Sequence, residues 1–382
     1  MLPLPPLYPV TDARLELPLS AQIRRLGDLG FPLVQFRGKP LDVRSQWREL
    51  GTALAEARDR GGWPLIIVND RADLALLAGL EGLLPWGLHL GQSDLPPGAA
   101  RRLPGLQTLH LGTSTHEPGE WEQVDPACDH VGVGPVRATA TKADHDEPTG
   151  MAGLAQACAA LRGRGLAPVA IGGLTRADFG PCFRAGAESL AMVGEVARAA
   201  DPRELLWEAQ LQRWRAMPPI VPGRGIVLAG GSGAGKSSLA LALARRLGLP
   251  ALDADTRIEA RAGRSIPELF QDGGEGLFRR LEREAIQASL ATPAVLSLGA
   301  GAWEEPETRR RVAESGFQAL WLAEIPEVAW TRVGGDPNRP LAGQREAFMA
   351  RWAARIPAWS TLPMLLPLGR SAEALAGAMT GL

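Results

Sequence analysis

Between residues 7 and 193, short apolar runs alternate with amphipathic stretches, and this alternation constrains the fold more than any other feature. The runs are Leu7–Val10, Leu33–Phe36, Leu65–Val68, Gly87–Leu90, Thr108–Leu111, His130–Val133, Val169–Ile171 and Ser189–Val193. Each has the length of a buried strand. The segments between them, such as Leu41–Arg58 and Gly153–Arg162, carry apolar residues at helical spacing. Eight strand–helix units in so short a stretch predict a small (β/α)8 TIM barrel. Such a barrel works at the carboxyl ends of its strands. Here the polar residues fall just after the runs: Thr11 and Asp12, Arg37 and Lys39, Asn69 and Asp70, Gln92 and Asp94, Thr113 and Ser114, Thr139–Lys142, Gly172 and Gly173.

Pro202–Ala216 reads as one further helix, and Met217–Gly225, with three prolines, reads as a linker. A second pattern opens with the strand Ile226–Ala229. Gly230–Ser237 then fits GxxxxGK[ST], and Leu239–Leu247 continues as a helix. In such a loop, glycines let backbone N–H groups approach phosphate oxygens, and the helix start adds its positive end. Gly230, Gly233, Ala234, Gly235 and Ser238 would cradle ATP. Lys236 would reach the transferred phosphate and the Ser237 hydroxyl would hold Mg²⁺. The expected organisation is a barrel over 1–216, a linker over 217–225, and a three-layer α/β/α P-loop kinase domain with a parallel sheet over 226–382.

Lysine usage points to the same places. Of 41 Lys and Arg residues only Lys39, Lys142 and Lys236 are lysine, and each lies in a phosphate-type motif. Lys is a compact charge on a flexible stem, whereas Arg is a flat fork. The formal net charge of −1 argues against nucleic acid or an anionic membrane as partner and leaves small molecules. Cys128, Cys158 and Cys182 show no CxxC spacing, the start Met1–Pro6 lacks the pattern of a signal peptide, and no apolar run is long enough to span a bilayer. A cytoplasmic protein is expected, and its oligomeric state stays open. The five histidines show no metal spacing and are read as packing or surface residues.

The second half carries a further ordered set: Leu252–Asp255, Gly274–Glu282, Leu298–Ala302, Asn338–Leu341 and Arg355–Trp359. In order and spacing it resembles shikimate kinase. The resemblance implies that Asp253 supports Mg²⁺ and that Asp255 binds the acceptor hydroxyls and serves as base. It implies that Arg279 and Arg355 fork onto the shikimate carboxylate. Gly299, Ala300 and Gly301 would line the pocket, and Arg339 would reach the ATP phosphates. Ala300 replaces the middle glycine of the family's triplet, and Trp359 stands where Tyr is usual.

The first half carries Leu7–Asp12, Gln35–Lys39, Asn69–Arg71, His89–Pro96, Gly112–His116, Gly132–Pro135, Thr139–Lys142 and Ala170–Gly173. These motifs resemble thiamine phosphate synthase, which joins a hydroxymethylpyrimidine diphosphate to a thiazole phosphate. By that resemblance Gln35, Arg37, Lys39, Asn69 and Ser114 hold the pyrimidine diphosphate, Asp70 and Asp94 bind Mg²⁺, and Lys142 stabilises the departing diphosphate. Thr139, Thr141, Gly173, Val193 and Gly194 hold the thiazole phosphate. Gly38 replaces a usual acidic residue, Gly194 replaces a usual Ser, and Leu80–Trp86 adds residues before the fourth strand.

Three other readings stay open at this level. The barrel could be related to thiazole tautomerases, although Pro135 stands where that group carries His. It could serve the kinase as an assembly or regulatory module without catalysis. The P-loop domain could take another acid such as gluconate.

Overall fold

The computed structural model describes residues 4–139, 147–217, 223–335 and 343–381. Contacts divide the chain into two compact units, Met1–Ala216 and Met217–Leu382. Lys142, Thr141 and His145, most of the Pro-rich linker, and Arg339 lie outside the described residues.

The first unit is an eight-stranded parallel sheet, in the order β1-β8-β7-β6-β5-β4-β3-β2. Its strands are β1 Leu7–Pro9, β2 Leu33–Phe36, β3 Leu65–Asn69, β4 Gly87–Leu90, β5 His110–Thr115, β6 His130–Val133, β7 Ala167–Ile171 and β8 Ser189–Met192. β1 and β2 come together at their carboxyl ends through a Val10–Gln35 bridge and a 2.9 Å bond from the Thr11 N–H to the Gln35 carbonyl. Side chains alternate between the two faces of a strand. Val34, Phe36, Ile66, Val68, Leu88 and Leu90 form one face and pack in a core with Leu19, Ile23, Leu50 and Leu54 of the covering helices. Gln35, Asn69, His89 and Ser114 belong to the other set, which faces the barrel interior.

The fifth strand departs from the expected Thr108–Leu111. It starts at His110 and runs to Thr115, because Ser114 and Thr115 still pair with Gly132 and Val133 of β6. Thr113 and Ser114 are therefore strand residues, not loop residues. β-Branched Thr at 113 and 115 suits an extended ladder, which polarity alone does not reveal.

The second unit is a five-stranded parallel sheet, β10-β11-β9-β12-β13. It comprises β9 Ile226–Ala229, β10 Ala251–Asp253, β11 Val295–Ser297, β12 Gln318–Leu322 and β13 Met364–Leu365. The order reverses around β9, which has β11 on one side and β12 on the other. A crevice opens beyond the carboxyl ends of strands at such a switch point. The glycine loop follows β9 into it. The helix after the loop starts at Lys236, one turn earlier than expected. Asp253 caps the Ala254–Ala262 helix. The Ile266–Ser289 helix bends at Gly274, whose φ of 64° is left-handed.

Candidate active sites

At the barrel rim, neighbouring strands deliver a connected row of polar groups. The Gln35 amide donates to Asn69 Oδ1 at 2.9 Å. The Arg37 N–H donates to Thr11 Oγ1 at 2.9 Å, which ties the second strand end to the first. Lys39 Nζ lies 2.7 Å from Asp70 Oδ2. Asp70 itself sits at φ 65°, a costly conformation for a residue with a side chain, and its N–H is held by the His89 carbonyl at 2.7 Å. Asp94 accepts the Gly91 N–H at 2.7 Å. Burial first, then the neighbouring Asp70 carboxylate, push the Asp94 carboxyl above its ordinary range, while Gly91 and Lys39 pull the other way.

Two carboxylates thus compete for one ammonium. Their oxygen donors and surplus negative charge fit a hard divalent cation such as Mg²⁺. Among the described residues no three His, Cys, Asp or Glu side chains gather as a metal site. A cation at Asp70 and Asp94 would therefore complete its shell from water or substrate oxygens.

Farther round the rim, Ser114 Oγ lies 2.8 Å from His89 Nε2. The Gly134 to Thr139 segment packs on the β7 loop: the Val136 and Arg137 N–H groups donate to the Ile171 and Gly172 carbonyls. A Cβ at Gly173 would stand 2.5 Å from the Ala138 carbonyl oxygen, and its φ is 66°. This position needs glycine. Thr139 is half-buried, and Val193–Gly194 opens the short Gly194–Arg198 helix.

In the second unit, left-handed backbone at Gly233 and Gly235 shapes the glycine loop. Lys236 is buried and its Nζ donates to the Gly231 carbonyl at 2.8 Å. Ser237 Oγ donates to Asp253 Oδ2 at 2.7 Å. Asp253 Oδ1 is occupied by the Asp255 and Thr256 N–H groups of the helix start. Oδ2 and the Ser237 hydroxyl are then an oxygen pair suited to Mg²⁺ beside the glycine loop.

A second polar cluster in this unit is built around two glycines. A Cβ at Gly301 would stand 2.9 Å from Arg279 Nη2 and 3.1 Å from Arg355 Nη2, so two guanidinium groups converge there. A Cβ at Gly299 would stand 3.0 Å from Asp255 Oδ1 and 2.9 Å from Glu282 Oε1. Two cations and two acids from three separate helices therefore border one small space. Glu282 holds Arg279 at 2.7 Å, and Glu304 holds Arg355 at 2.8 Å. Burial raises the Glu282 carboxyl, and Arg279 opposes that rise.

Comparison with known proteins sorts the two units. A thiamine monophosphate synthase family model matches residues 7–196, and a shikimate kinase model matches residues 232–361. A thiamine-phosphate synthase of Laribacter hongkongensis is 38% identical over 173 residues, 45% of this chain and 77% of that protein. One from Chloroflexus aurantiacus is 41% identical over 199 residues, 51% of this chain and 86% of the relative. A shikimate kinase of Ruegeria pomeroyi is 42% identical over 139 residues, 35% of this chain and 71% of the relative. The chain belongs to both families, as a fusion of the two.

Several contacts escape sequence reasoning. In the synthase domain His89, read as packing, bonds to Ser114. In the shikimate kinase domain Arg332 Nη1 donates to the Gly233 carbonyl at 2.9 Å and pairs with buried Glu324, setting another cation beside the phosphate loop. Glu282, which orients Arg279, also went unnoticed. Its spacing of three residues from Arg279, on one helical face, is the signal that could have found it. Trp352 backs the same loop: a Cβ at Gly231 would stand 2.0 Å from its ring. Gln35, Asn69, Lys39, Asp70 and Asp94 come together, as do Asp255, Arg279, Gly299, Gly301 and Arg355. No helix among the described residues is long and apolar enough to cross a membrane.

Proposed function

We propose that both domains are active, and that the chain forms thiamine phosphate and shikimate 3-phosphate at two separate sites. In the barrel, the observation that carries this reading is the Lys39–Asp70–Asp94 group beside Gln35 and Asn69. The reaction breaks the bond between the pyrimidine methylene carbon and the diphosphate oxygen. The electron pair leaves with diphosphate, and the thiazole nitrogen then forms the new C–N bond. The pyrimidine stabilises the transient cation by resonance, so the main task of the protein is to receive leaving-group charge. Mg²⁺, held by Asp70 and Asp94, would neutralise diphosphate oxygens. Arg37, Lys39 and Lys142 add fixed positive charge, and Ser114 adds a hydroxyl. Thr139, Thr141, Gly173, Val193 and Gly194 receive the thiazole phosphate.

In the kinase domain the carrying observation is the convergence of Arg279 and Arg355 on Gly301, with Asp255 at the neighbouring glycine. Two guanidinium forks suit a carboxylate. Asp255 orients the acceptor hydroxyl and takes its proton as the oxygen attacks the terminal phosphorus of ATP, whose bond to the β–γ bridging oxygen breaks to release ADP. Lys236 and Arg332 lie beside the glycine loop, Arg339 would supply a further cation to the ATP phosphates, and Ser237 and Asp253 would hold Mg²⁺. Phosphoryl transfer depends on positioning and charge neutralisation, which is what this arrangement supplies.

Two assays on the purified chain test the proposal. Diphosphate release should require both thiamine precursors, and ADP release should require shikimate. An acceptor preference for gluconate, or no diphosphate release from a folded chain, would overturn the corresponding half.

A further inference from the structure

The interior of the synthase barrel holds a column of rings that neither reaction accounts for. Gly112 occupies an inward position of β5 and pairs with His89 on β4 and His130 on β6. With no side chain at 112, the two imidazoles meet across it. A Cβ there would stand 2.0 Å from His130 Cε1, so Gly112 is the slot that admits this ring. His89 Nδ1 and His130 Nε2 are 3.1 Å apart, and His89 Nε2 is 2.8 Å from Ser114 Oγ. Behind them His130 stacks on His110 at 5.0 Å between centroids, and His110 stacks on Trp86 at 4.3 Å. His89, His110 and His130 are all buried.

The direction of the hydrogen bonds follows from one atom. Burial keeps the His130 ring neutral, so it carries one N–H. Among the described residues its Nδ1 has no hydrogen-bond partner. A proton there would leave a buried N–H orphaned, and orphaned N–H groups are the rarer defect in folded proteins. A proton on Nε2 is used at once, because Nε2 faces His89. With His130 donating, His89 Nδ1 accepts, and the proton of His89 lies on Nε2. That N–H donates to Ser114 Oγ. The Ser114 hydroxyl hydrogen is then free to point away from His89.

We propose that His130 is a positioning residue: acting through His89, it fixes the Ser114 hydroxyl as a hydrogen-bond donor directed at an anionic oxygen of the bound substrate. The identity of that substrate, a diphosphate ester, rests on the synthase reading above. The protonation pattern does not.

The test has two arms for this reason. In the full chain with isotope-labelled histidine, ring carbon and nitrogen shifts report which nitrogen carries each proton. Five histidines are few enough to assign by substitution. His89 and His130 should both be neutral with the proton on Nε2. A proton on His89 Nδ1 would overturn the proposal, whether or not the barrel is active. In the second arm, His130→Phe keeps a ring in the Gly112 slot and removes the donor. It should lower kcat/KM for the pyrimidine diphosphate about tenfold, the scale of one hydrogen bond to a charged group. In a Ser114→Ala background the same change should have no further effect. His130→Gln, whose amide can donate to His89 Nδ1, should recover part of the loss. Additive effects of His130→Phe and Ser114→Ala would overturn it. Should His130→Phe fail to fold, the shifts of the wild-type chain still decide. Loss of diphosphate release in the wild type would sink the synthase reading alone and leave the first arm standing.

Discussion

His110 offers a test of the barrel interior that does not depend on activity. Burial, aided by Arg101 and opposed by Asp129, lowers its pKa from the ordinary 6.5 to about 4. The unfolded chain therefore takes up this proton first as pH falls. Stability from this group is complete above pH 6.5 and is lost progressively on the way down to pH 4. Linkage between those two values gives a loss of about 2 kcal/mol at pH 5 relative to pH 8. His130 is displaced in the same direction and adds to the slope. The perturbation is His110→Leu, which fills the space behind Trp86 without a titrating group. The assay is the opening free energy of β5 and β6, from amide exchange followed peptide by peptide at several pH values. Wild type should lose protection between pH 7 and pH 5 more steeply than the variant by about 2 kcal/mol. A constant packing cost would offset the two curves without changing their slopes. Parallel curves would refute the argument, because the ring would then be reached by water or hydrogen-bonded in both states.

Other expectations concern the two sites. Asp94→Asn removes charge at constant size, so it should sharply cut thiamine phosphate formation and raise the Mg²⁺ needed for half activity. Metal-free thermal stability should hold or rise, because the repulsion from Asp70 is gone; wild-type rates at limiting Mg²⁺ would end the metal assignment. Arg279→Ala and Arg355→Ala should each raise KM for shikimate far more than KM for ATP, each losing about 1.5–3 kcal/mol of charge-assisted binding; equal effects on both substrates would indicate a nucleotide or folding role. Gly301→Ala sets a methyl group where those two guanidinium groups converge and should reproduce the shikimate defect with ATP binding intact, as read by steady-state kinetics. Lys236→Ala should abolish ADP formation and leave thiamine phosphate formation near wild type, since the two phosphate sites belong to different units.

Much of this protein could be read from contiguous residues. The eight apolar runs announced the barrel because strand length and helical spacing are local properties. The loop Gly230–Ser237 was legible as a candidate phosphate cradle, because backbone approach and helix start depend on neighbours in sequence. Strand-end residues such as Lys39, Asp70 and Asp94 were visible as candidates, since a parallel barrel sends all its strand ends to one rim.

Tertiary structure decided what those residues touch. The extent of β5 depended on its pairing with β6, so Ser114 turned out to lie on a strand. The histidine column arises because β4, β5 and β6 align His89, Gly112 and His130 across two ladders. Nothing within one strand marks that glycine as a slot, and a shift of one residue in register would turn these side chains to the other face. The cluster around Gly299 and Gly301 likewise gathers Asp255, Arg279 and Arg355 from segments far apart in the chain. Local sequence sets which groups exist and which way the backbone runs. Register and packing set their distances, and hydrogen bonds and charge coupling depend on distance.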